Sequence, residues 1–383
     1  MENFIAYNPT KVHFGQDVVA QLGEVAARFG QKALLLYGRG SVMHNGSYQD
    51  TTDQLEGAGI KVTAYSGIKP NPVIEDVDQA AKVGMAHGVD MVVALGGGSV
   101  IDSAKVIAVA IAEKCNGWDI MKGLREPERA IPIIAVLTLA ATGSEMNAVA
   151  VIQNNQTMEK FGYRHPVMFP SHSFLDPGYT RTVPASQTGY GITDLVAHVL
   201  ESYFGQGEAS LSDRFSASII QEAMEYGPEL MNHLEDYDLR ARIMWAATNA
   251  LNGLLSAGRA NGDFTSHALG HQLSLLYDTP HGASLSIAFP AWMRHMTPRI
   301  GNRLEKLGRD LFGEPSAGKT IEGLENFFAR VQCPIRLGEI GVGPDQKEKI
   351  LSLMNKNKCN GKNPDHLLGD RDRQQIVELM YEA

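Results

Sequence analysis

Residues 89–112 read VDMVVALGGGSVIDSAKVIAVAIA. MVVAL is an unbroken apolar run, GGGS follows it directly, and the residues after that repeat apolar side chains at helical spacing. A short apolar run ending in glycine predicts a buried strand, and the periodic stretch predicts a helix. Strand, tight turn and helix in succession are the repeating unit of an α/β fold. The neighbouring sequence carries the same pattern. KALLLYG (32–38), IKVTAYSG (60–67), MVVALGGG (91–98) and IPIIAVLT (131–138) read as buried strands, and DVVAQLGEVAARFG (17–30) and IEDVDQAAKVGMAHG (74–88) read as helices. Strands that alternate with helices need crossover connections, which implies a largely parallel sheet. Ligands of such sheets bind outside the carboxyl ends of the strands.

The pattern changes near residue 184. QTGYGITDLVAHVLESYFG, SLSDRFSASIIQEAMEYGPELMNHL, DLRARIMWAATNALNGLLSAG and the segment from 265 carry helical periodicity, and strand-like runs nearly vanish. Pro and Gly in DPGYTRTVPASQ (176–187) interrupt the pattern. An α/β domain over residues 1–182 and an all-helical domain over 183–383 are therefore expected, with a cleft between them. A chain of 383 residues exceeds what one core usually supports.

Composition narrows the function classes. Hydrophobic residues make up 44% and charged residues 20%, an ordinary globular balance. A net charge of -9 disfavours nucleic acid or an anionic membrane as partner. The three cysteines are odd in number and widely spaced, which suggests no disulfide framework and fits a reducing cytoplasm. The N-terminus MENFIAYNPTKVHFG lacks a basic region followed by an apolar run, so no signal peptide is expected. No apolar stretch is long enough to span a bilayer.

Gly96, Gly97 and Gly98 allow a tight turn and let backbone amides approach a ligand closely. Ser99 opens a helix whose first-turn amides favour an anion. Asp102 follows three residues later, as a capping-box acid does. GGGS is equally compatible with a plain capped turn; it has neither the G-x-G-x-x-G spacing nor a Walker lysine. A second small-residue turn follows the next strand in LTLAATGSE, where Thr138, Thr142 and Ser144 offer hydroxyls and Gly143 allows close approach. Two such turns after neighbouring strands form a groove suited to a diphosphate.

The helical half gathers imidazoles. TSHALGHQLSLLYDTPHG (265–282) holds three of the twelve histidines, and TDLVAHVLES sets Asp194 and His198 four apart on one helix face. Taken singly, such residues are compatible with surface or structural roles, and the 194/198 pair with an ordinary helix-surface pair. Taken together, Asp194, His198, His267 and His281 make a carboxylate and three imidazoles, a set that suits Fe or Zn without a sharp choice between them.

GGGSVIDSAK, TLAATGSE, DLVAHVLES and HALGHQLSLLYDTPHG, in this order, resemble the iron-containing (group III) alcohol dehydrogenase family. The resemblance runs from GIKPNPVIEDV to the C-terminal helices. YG-x-GS, TL-x-ATGSE and LDP-x-YT-x-TVP look most like the branch of NADPH-dependent butanol dehydrogenases and aldehyde reductases. The resemblance implies that Asp194, His198, His267 and His281 are the metal ligands and that His271 lies near the substrate without binding metal. It implies further that Gly97, Gly98 and Ser99 form the pyrophosphate loop, with Thr138 and Thr142 on the nicotinamide side and Asn71 and Lys160 as further cofactor positions. Ala140 departs from the Pro or Gly usual there. VHFG (12–15) is by the same resemblance a strand that pairs across a homodimer.

These readings predict hydride transfer between NADP(H) and a primary alcohol or its aldehyde. A cation would polarise the substrate oxygen. His271 is a candidate either for relaying the proton or for orienting His267. NAD-specific proteins often place an acid at the first strand's exit. Here Gly38, Arg39, Gly40 and Ser41 stand in that turn, so Arg39 or Ser41 can meet a 2′-phosphate, although Arg39 pointing to water is an equal alternative. Rival readings are a metal-dependent hydrolase, a glycerol or lactaldehyde/diol dehydrogenase, dehydroquinate synthase and a silent nucleotide-binding scaffold. The chain lacks the adjacent His-Asp pair of one hydrolase class, and a silent protein needs no four-ligand set. Trp118, Trp245 and Trp292 are expected in cores or interfaces.

Overall fold

The computed structural model describes residues 1–382. The first half runs through β1 (Lys11–Phe14), α1 (Leu22–Ala26), β2 (Lys32–Tyr37), α2 (Ser47–Gly57), β3 (Lys61–Tyr65) and α3 (Ile74–His87). It continues through β4 (Met91–Gly96), α4 (Gly98–Glu113), α5 (Gly117–Met121), β5 (Ile133–Leu137), β6 (Val149–Asn154), β7 (Glu159–Arg164) and β8 (His172–Leu175). Eight helices follow: α6 (Ala185–Tyr203), α7 (Ser210–Asn232), α8 (Tyr237–Ala250), α9 (Thr265–Tyr277), α10 (His281–Phe312), α11 (Ala317–Arg330), α12 (Lys347–Lys356) and α13 (Asp370–Leu379). No described helix is long and apolar enough to cross a membrane. The three cysteines are free thiols.

Six strands form one sheet in the order β1-β8-β5-β4-β2-β3, and every pairing in it is parallel. The apolar runs are continuous because both faces of the sheet are covered. Along β4, Val92 and Ala94 enter one core while Met91, Val93 and Leu95 enter the other. The same alternation divides Leu34 and Leu36 from Ala33 and Leu35 on β2. The strand order reverses between β2 and β4, since β3 lies on one side of β2 and the later strands on the other. Parallel register sets Tyr37 beside Leu95 and Gly96 beside Leu137. The exits of β2, β4 and β5 therefore share one sheet edge, at the crossover where α/β proteins bind ligands.

Several features depart from the sequence reading. VHFG forms β1, the edge strand, hydrogen-bonded on one side in parallel to β8, a pairing that the sequence reading did not include. The stretch 17–30 is not one helix. It opens with Asp17 in the left-handed region, makes a single 3-10 turn over Val18–Gln21, and only then forms the short α1. Strand β8 and the antiparallel hairpin β6–β7 are additions to the expected strands.

The chain divides into two compact units, each drawing on separate stretches of sequence. The sheet unit comprises Tyr7–Val183 and His233–Thr248; the helical unit comprises Met1–Ala6, Pro184–Asn232 and the chain from Asn249 onward. A single division at 182/183 therefore does not describe the molecule, because most of α8 belongs with the sheet. Packing explains this placement. Met244 enters the core under the sheet, Trp245 meets Phe14 edge-on at 5.6 Å, and Thr248 Oγ1 donates to Glu145 Oε1 at 2.6 Å.

Within the helical unit, α6 is buried along almost its whole length after Thr188. Two glycines allow its neighbours to come this close. A Cβ on Gly282 would overlap the Tyr190 carbonyl, and one on Gly189 would overlap the Val331 carbonyl. The start of α10 thus lies directly against the backbone of α6. Trp292 is fully buried in α10, Trp118 is partly buried, and Trp245 is 46% exposed.

Candidate functional site

Three helices of the helical unit converge on one group of side chains. Helix α6 carries Asp194 and His198 one turn apart, α9 carries His267 and His271 one turn apart, and His281 is the first residue of α10. Asp194, His267 and His281 offer ligand atoms that all lie within 4.8 Å of one another. Asp194 Oδ1 is 3.5 Å from His281 Nε2 and 3.8 Å from His267 Nε2. His198 joins the group through two nitrogens, with Nε2 3.1 Å from His267 Nε2 and Nδ1 3.5 Å from Asp194 Oδ1. Ligand nitrogens about 2.0–2.1 Å from a shared tetrahedral cation lie roughly 3.3 Å apart, so these spacings suit a divalent ion.

Hydrogen bonding gives a second test of that fit. Asp194 is 2% exposed, yet its Oδ1 has no hydrogen-bond partner among the described residues, and the same holds for His198 Nδ1. Buried polar atoms without partners are costly, and a cation at the centre of the group satisfies Asp194 Oδ1 directly. Burial and neighbouring charge act in opposite directions within the group. Burial alone would raise the Asp194 carboxyl, but His198, His281 and His267 hold it below the ordinary carboxylate range. Burial pushes His198 down to about 4, against the pull of Asp194. Burial also acts to lower His267, but Glu201 and Asp194 outweigh it and hold the imidazole up at about 9.

Glu201 escaped the sequence reading. It lies on α6 one turn beyond His198 and is 1% exposed. Its Oε1 accepts the backbone N–H of His267 at 3.0 Å and faces His267 Nδ1 at 3.1 Å. The signal was present in the motif DLVAHVLES, where Glu201 extends the Asp194–His198 face by one turn. The orienting bond that the sequence left open for His271 is made to His267 by Glu201. His271 stands beside the group, its ring centroid 5.5 Å from that of His281 and 6.3 Å from that of His267.

The sheet unit brings together the predicted turn residues. Gly97 is the N-cap of α4 and Gly98 its first helical residue. A Cβ on Gly98 would overlap the Thr142 side chain, so the turns after β4 and β5 touch where only glycine fits. Gly143 sits in the left-handed region at φ 60°. Thr138 is buried and donates its N–H to Gly96 O at 3.1 Å. Ser99 Oγ donates to Pro70 O, and the neighbouring Asn71 accepts from Lys160 Nζ at 2.7 Å through Oδ1. In the turn after β2, Arg39 and Ser41 are exposed, while Gly38 and Gly40 are partly covered. Ala140 packs against the sheet core.

One sequence reading changes here. Asp102 is not a capping-box acid, because Gly97 holds the cap position and no side chain caps the helix. Asp102 lies deeper in α4, where Oδ2 accepts the Val151 N–H at 2.9 Å and Oδ1 accepts from Ser144 Oγ. Ser144 also accepts from Lys105 Nζ at 2.7 Å, and the same ammonium donates to Asn147 Oδ1 and Val149 O. Asp102 and Ser144 thus tie the second turn to α4. Lys105 is fully buried; burial pushes it down to about 8, against the pull of Asp102 and Glu145.

Comparison with known proteins agrees with both halves of this description. The profile of the Iron-containing alcohol dehydrogenase family matches residues 9–177, and that of the Fe-containing alcohol dehydrogenase family, C-terminal, matches residues 188–383. The chain is 40% identical over 359 residues to a probable NADH-dependent butanol dehydrogenase of Bacillus subtilis (strain 168), covering 91% of this chain and 92% of that one. It is 36% identical over 352 residues to an NADPH-dependent aldehyde reductase of Escherichia coli (strain K12), covering 89% and 90%. The crystal structure of an NADH-dependent butanol dehydrogenase A from Thermotoga maritima superimposes with a TM-score of 0.96 at 37% identity, covering 100% of this chain and 99% of that one. With sheet unit, helical unit and both profiles in agreement along nearly its whole length, this chain belongs to the iron-containing alcohol dehydrogenase family.

Proposed function

We propose that this NAD(P)-dependent alcohol dehydrogenase works mainly on primary alcohols and their aldehydes, with NADP(H) preferred and Asp194, His198, His267 and His281 holding one Fe2+ or Zn2+. The observation that carries the reading is the cluster of Asp194, His267 and His281, whose ligand atoms lie within 4.8 Å of one another, with His198 beside it and its Nε2 3.1 Å from His267 Nε2. A nicotinamide bound at the Gly97–Ser99 turn would supply the hydride exchange with the substrate carbon, and a divalent cation held by Asp194, His198, His267 and His281 would supply polarisation of the substrate oxygen.

The chain's own residues supply position and proton transfer. Asp194 brings the negative charge of the ligand set, and Glu201 orients His267. His271, one turn along α9 from His267, takes up the hydroxyl proton during alcohol oxidation and returns it during aldehyde reduction. In the sheet unit, the first-turn amides of α4 donate to the pyrophosphate, and Gly98 and Gly143 let it approach the backbone. Thr138 and Thr142 lie toward the nicotinamide, and Asn71, hydrogen-bonded by Lys160, offers a further cofactor position before α3.

NADP(H) preference rests on the turn after β2. It contains no acid to repel a 2′-phosphate, and exposed Arg39 supplies a guanidinium that pairs well with one. The relatives carry both cofactor names, so direct measurement is the test. Butyraldehyde added to the purified protein should consume NADPH, a strong chelator should abolish turnover, and kcat/KM should favour NADPH over NADH. Arg39→Ala should lower kcat/KM for NADPH about tenfold or more and leave NADH nearly unchanged, since a hydrogen bond to a charged group contributes roughly 1.5–3 kcal/mol. Chelator-resistant turnover would remove the metal from the reading, and an NADH preference in the wild type would remove the cofactor assignment.

A further inference from the structure

We propose that Glu201 is a positioning residue for the cation, selecting the imidazole tautomer of His267 and completing the neutralisation of a divalent ion; this rests on the metal reading of Asp194, His198, His267 and His281. Glu201 touches none of the reacting atoms, and its action passes through His267.

The geometry assigns both parts of this role. A neutral imidazole carries one N–H and one lone pair. When Nδ1 bears the proton and donates it to Glu201 Oε1, 3.1 Å away, the lone pair is left on Nε2. Nε2 is the nitrogen directed at the group, 3.1 Å from His198 Nε2 and 3.8 Å from Asp194 Oδ1. The same Oε1 accepts the backbone N–H of His267 at 3.0 Å, so one oxygen fixes both the ring and the first turn of α9. Glu201 is itself anchored, because its carbonyl accepts the Asp263 N–H at 2.9 Å.

Charge supplies the second part. Metal-binding imidazoles are neutral, so the negative charge facing the ion comes from Asp194 and Glu201, both almost fully buried; burial raises the Glu201 carboxyl, and the charge and hydrogen bonds of His267 oppose that shift. A divalent cation cancels that charge. A monovalent cation would leave an uncompensated buried charge, which is costly. Partners that orient a metal-binding histidine are worth roughly 10–100-fold in metal affinity.

The test measures Zn2+ affinity of the chelator-stripped protein by competition with a chromogenic chelator, for the wild type, Glu201→Gln and Glu201→Ala. Glutamine keeps the shape and an acceptor oxygen but loses the charge; alanine loses both. The expected result is about tenfold weaker binding for Glu201→Gln and about 100-fold for Glu201→Ala, with unchanged far-ultraviolet circular dichroism of the metal-free proteins. The visible absorption of the Co2+-loaded protein should shift in Glu201→Ala and stay close to wild type in Glu201→Gln, a signature that a purely structural role would not produce. Wild-type Zn2+ affinity in the variants overturns the proposal. If Glu201→Ala fails to fold, Glu201→Gln decides alone: tenfold weakening supports the role and unchanged affinity overturns it. A wild-type protein that binds no Zn2+ overturns the underlying metal reading instead.

Discussion

In the sheet unit, the proposed binding groups of each turn lie within a few residues of one another at the end of a strand, and most are backbone amides. In the helical unit, His198 and His267 are 69 residues apart in sequence and meet at 3.1 Å. The first arrangement needs glycine and a helix start in one short window. The second needs three helices at the correct rotation and depth, because each contributes only one or two side chains. Local chemistry builds the one; packing builds the other. The two units should therefore fail in different ways when altered.

The largest expected effect lies in the helical unit. Asp194→Asn removes the only carboxylate among the four predicted ligands, so bound metal should be lost and kcat/KM should fall roughly 10³-fold or more. His271→Ala should keep the metal while slowing turnover roughly 10²-fold, the usual worth of a positioned proton-transfer group. Elemental analysis alongside steady-state kinetics checks both. Retained metal in Asp194→Asn, or lost metal in His271→Ala, would break the division of roles.

Two glycine substitutions sharpen the comparison itself. Gly282→Ala pushes a methyl into the Tyr190 carbonyl where α10 begins, and His281 is the adjacent residue. It should cost about 1–3 kcal/mol of stability and weaken metal binding, read by thermal denaturation and metal content. Gly98→Ala pushes a methyl into Thr142 at the turn; it should weaken NADPH binding, followed by cofactor fluorescence, with metal content unchanged. If each change damaged both ligands equally, the contrast between local and long-range construction would fall.

A pH effect of similar size concerns Lys105, the buried charge that ties the second turn to α4. Its folded-state pKa is about 8, below the ordinary lysine value. Between that value and about 10.5 the unfolded chain binds the proton more tightly, so stability rises with pH across this window. The gain is on the order of 3 kcal/mol and should be missing from Lys105→Met. Parallel denaturant titrations of the two proteins at pH 7.5 to 10.5 measure the difference; superimposable pH profiles would exclude a strained, buried ammonium.

Much of this molecule was legible from residue order. MVVALGGGS predicted β4 running into α4, and the alternation of apolar strands with helical stretches predicted the parallel sheet. The clustered residues Asp194, His198, His267 and His281 were legible as a motif set, and Glu201 was overlooked inside a motif already in view. Other features were not readable in this way. HSFL in β8 is four residues long, too short for periodicity to distinguish it from loop, and VHFG could not reveal that its neighbour would be β8 of the same chain.

By itself, then, the sequence determined what windows of about ten residues can hold: strand, turn and helix identity, and which side chains are available as ligands. Tertiary structure alone decided that α8 packs under the sheet, that Asp102 and Ser144 bond to each other inside the sheet unit, and that Glu201 reaches His267. The physical reason is that periodicity gives each helix an apolar face but not its partner. Partnership is settled by close packing across long sequence separations, at contacts such as Gly282 against Tyr190, where one methyl group decides whether two helices can meet.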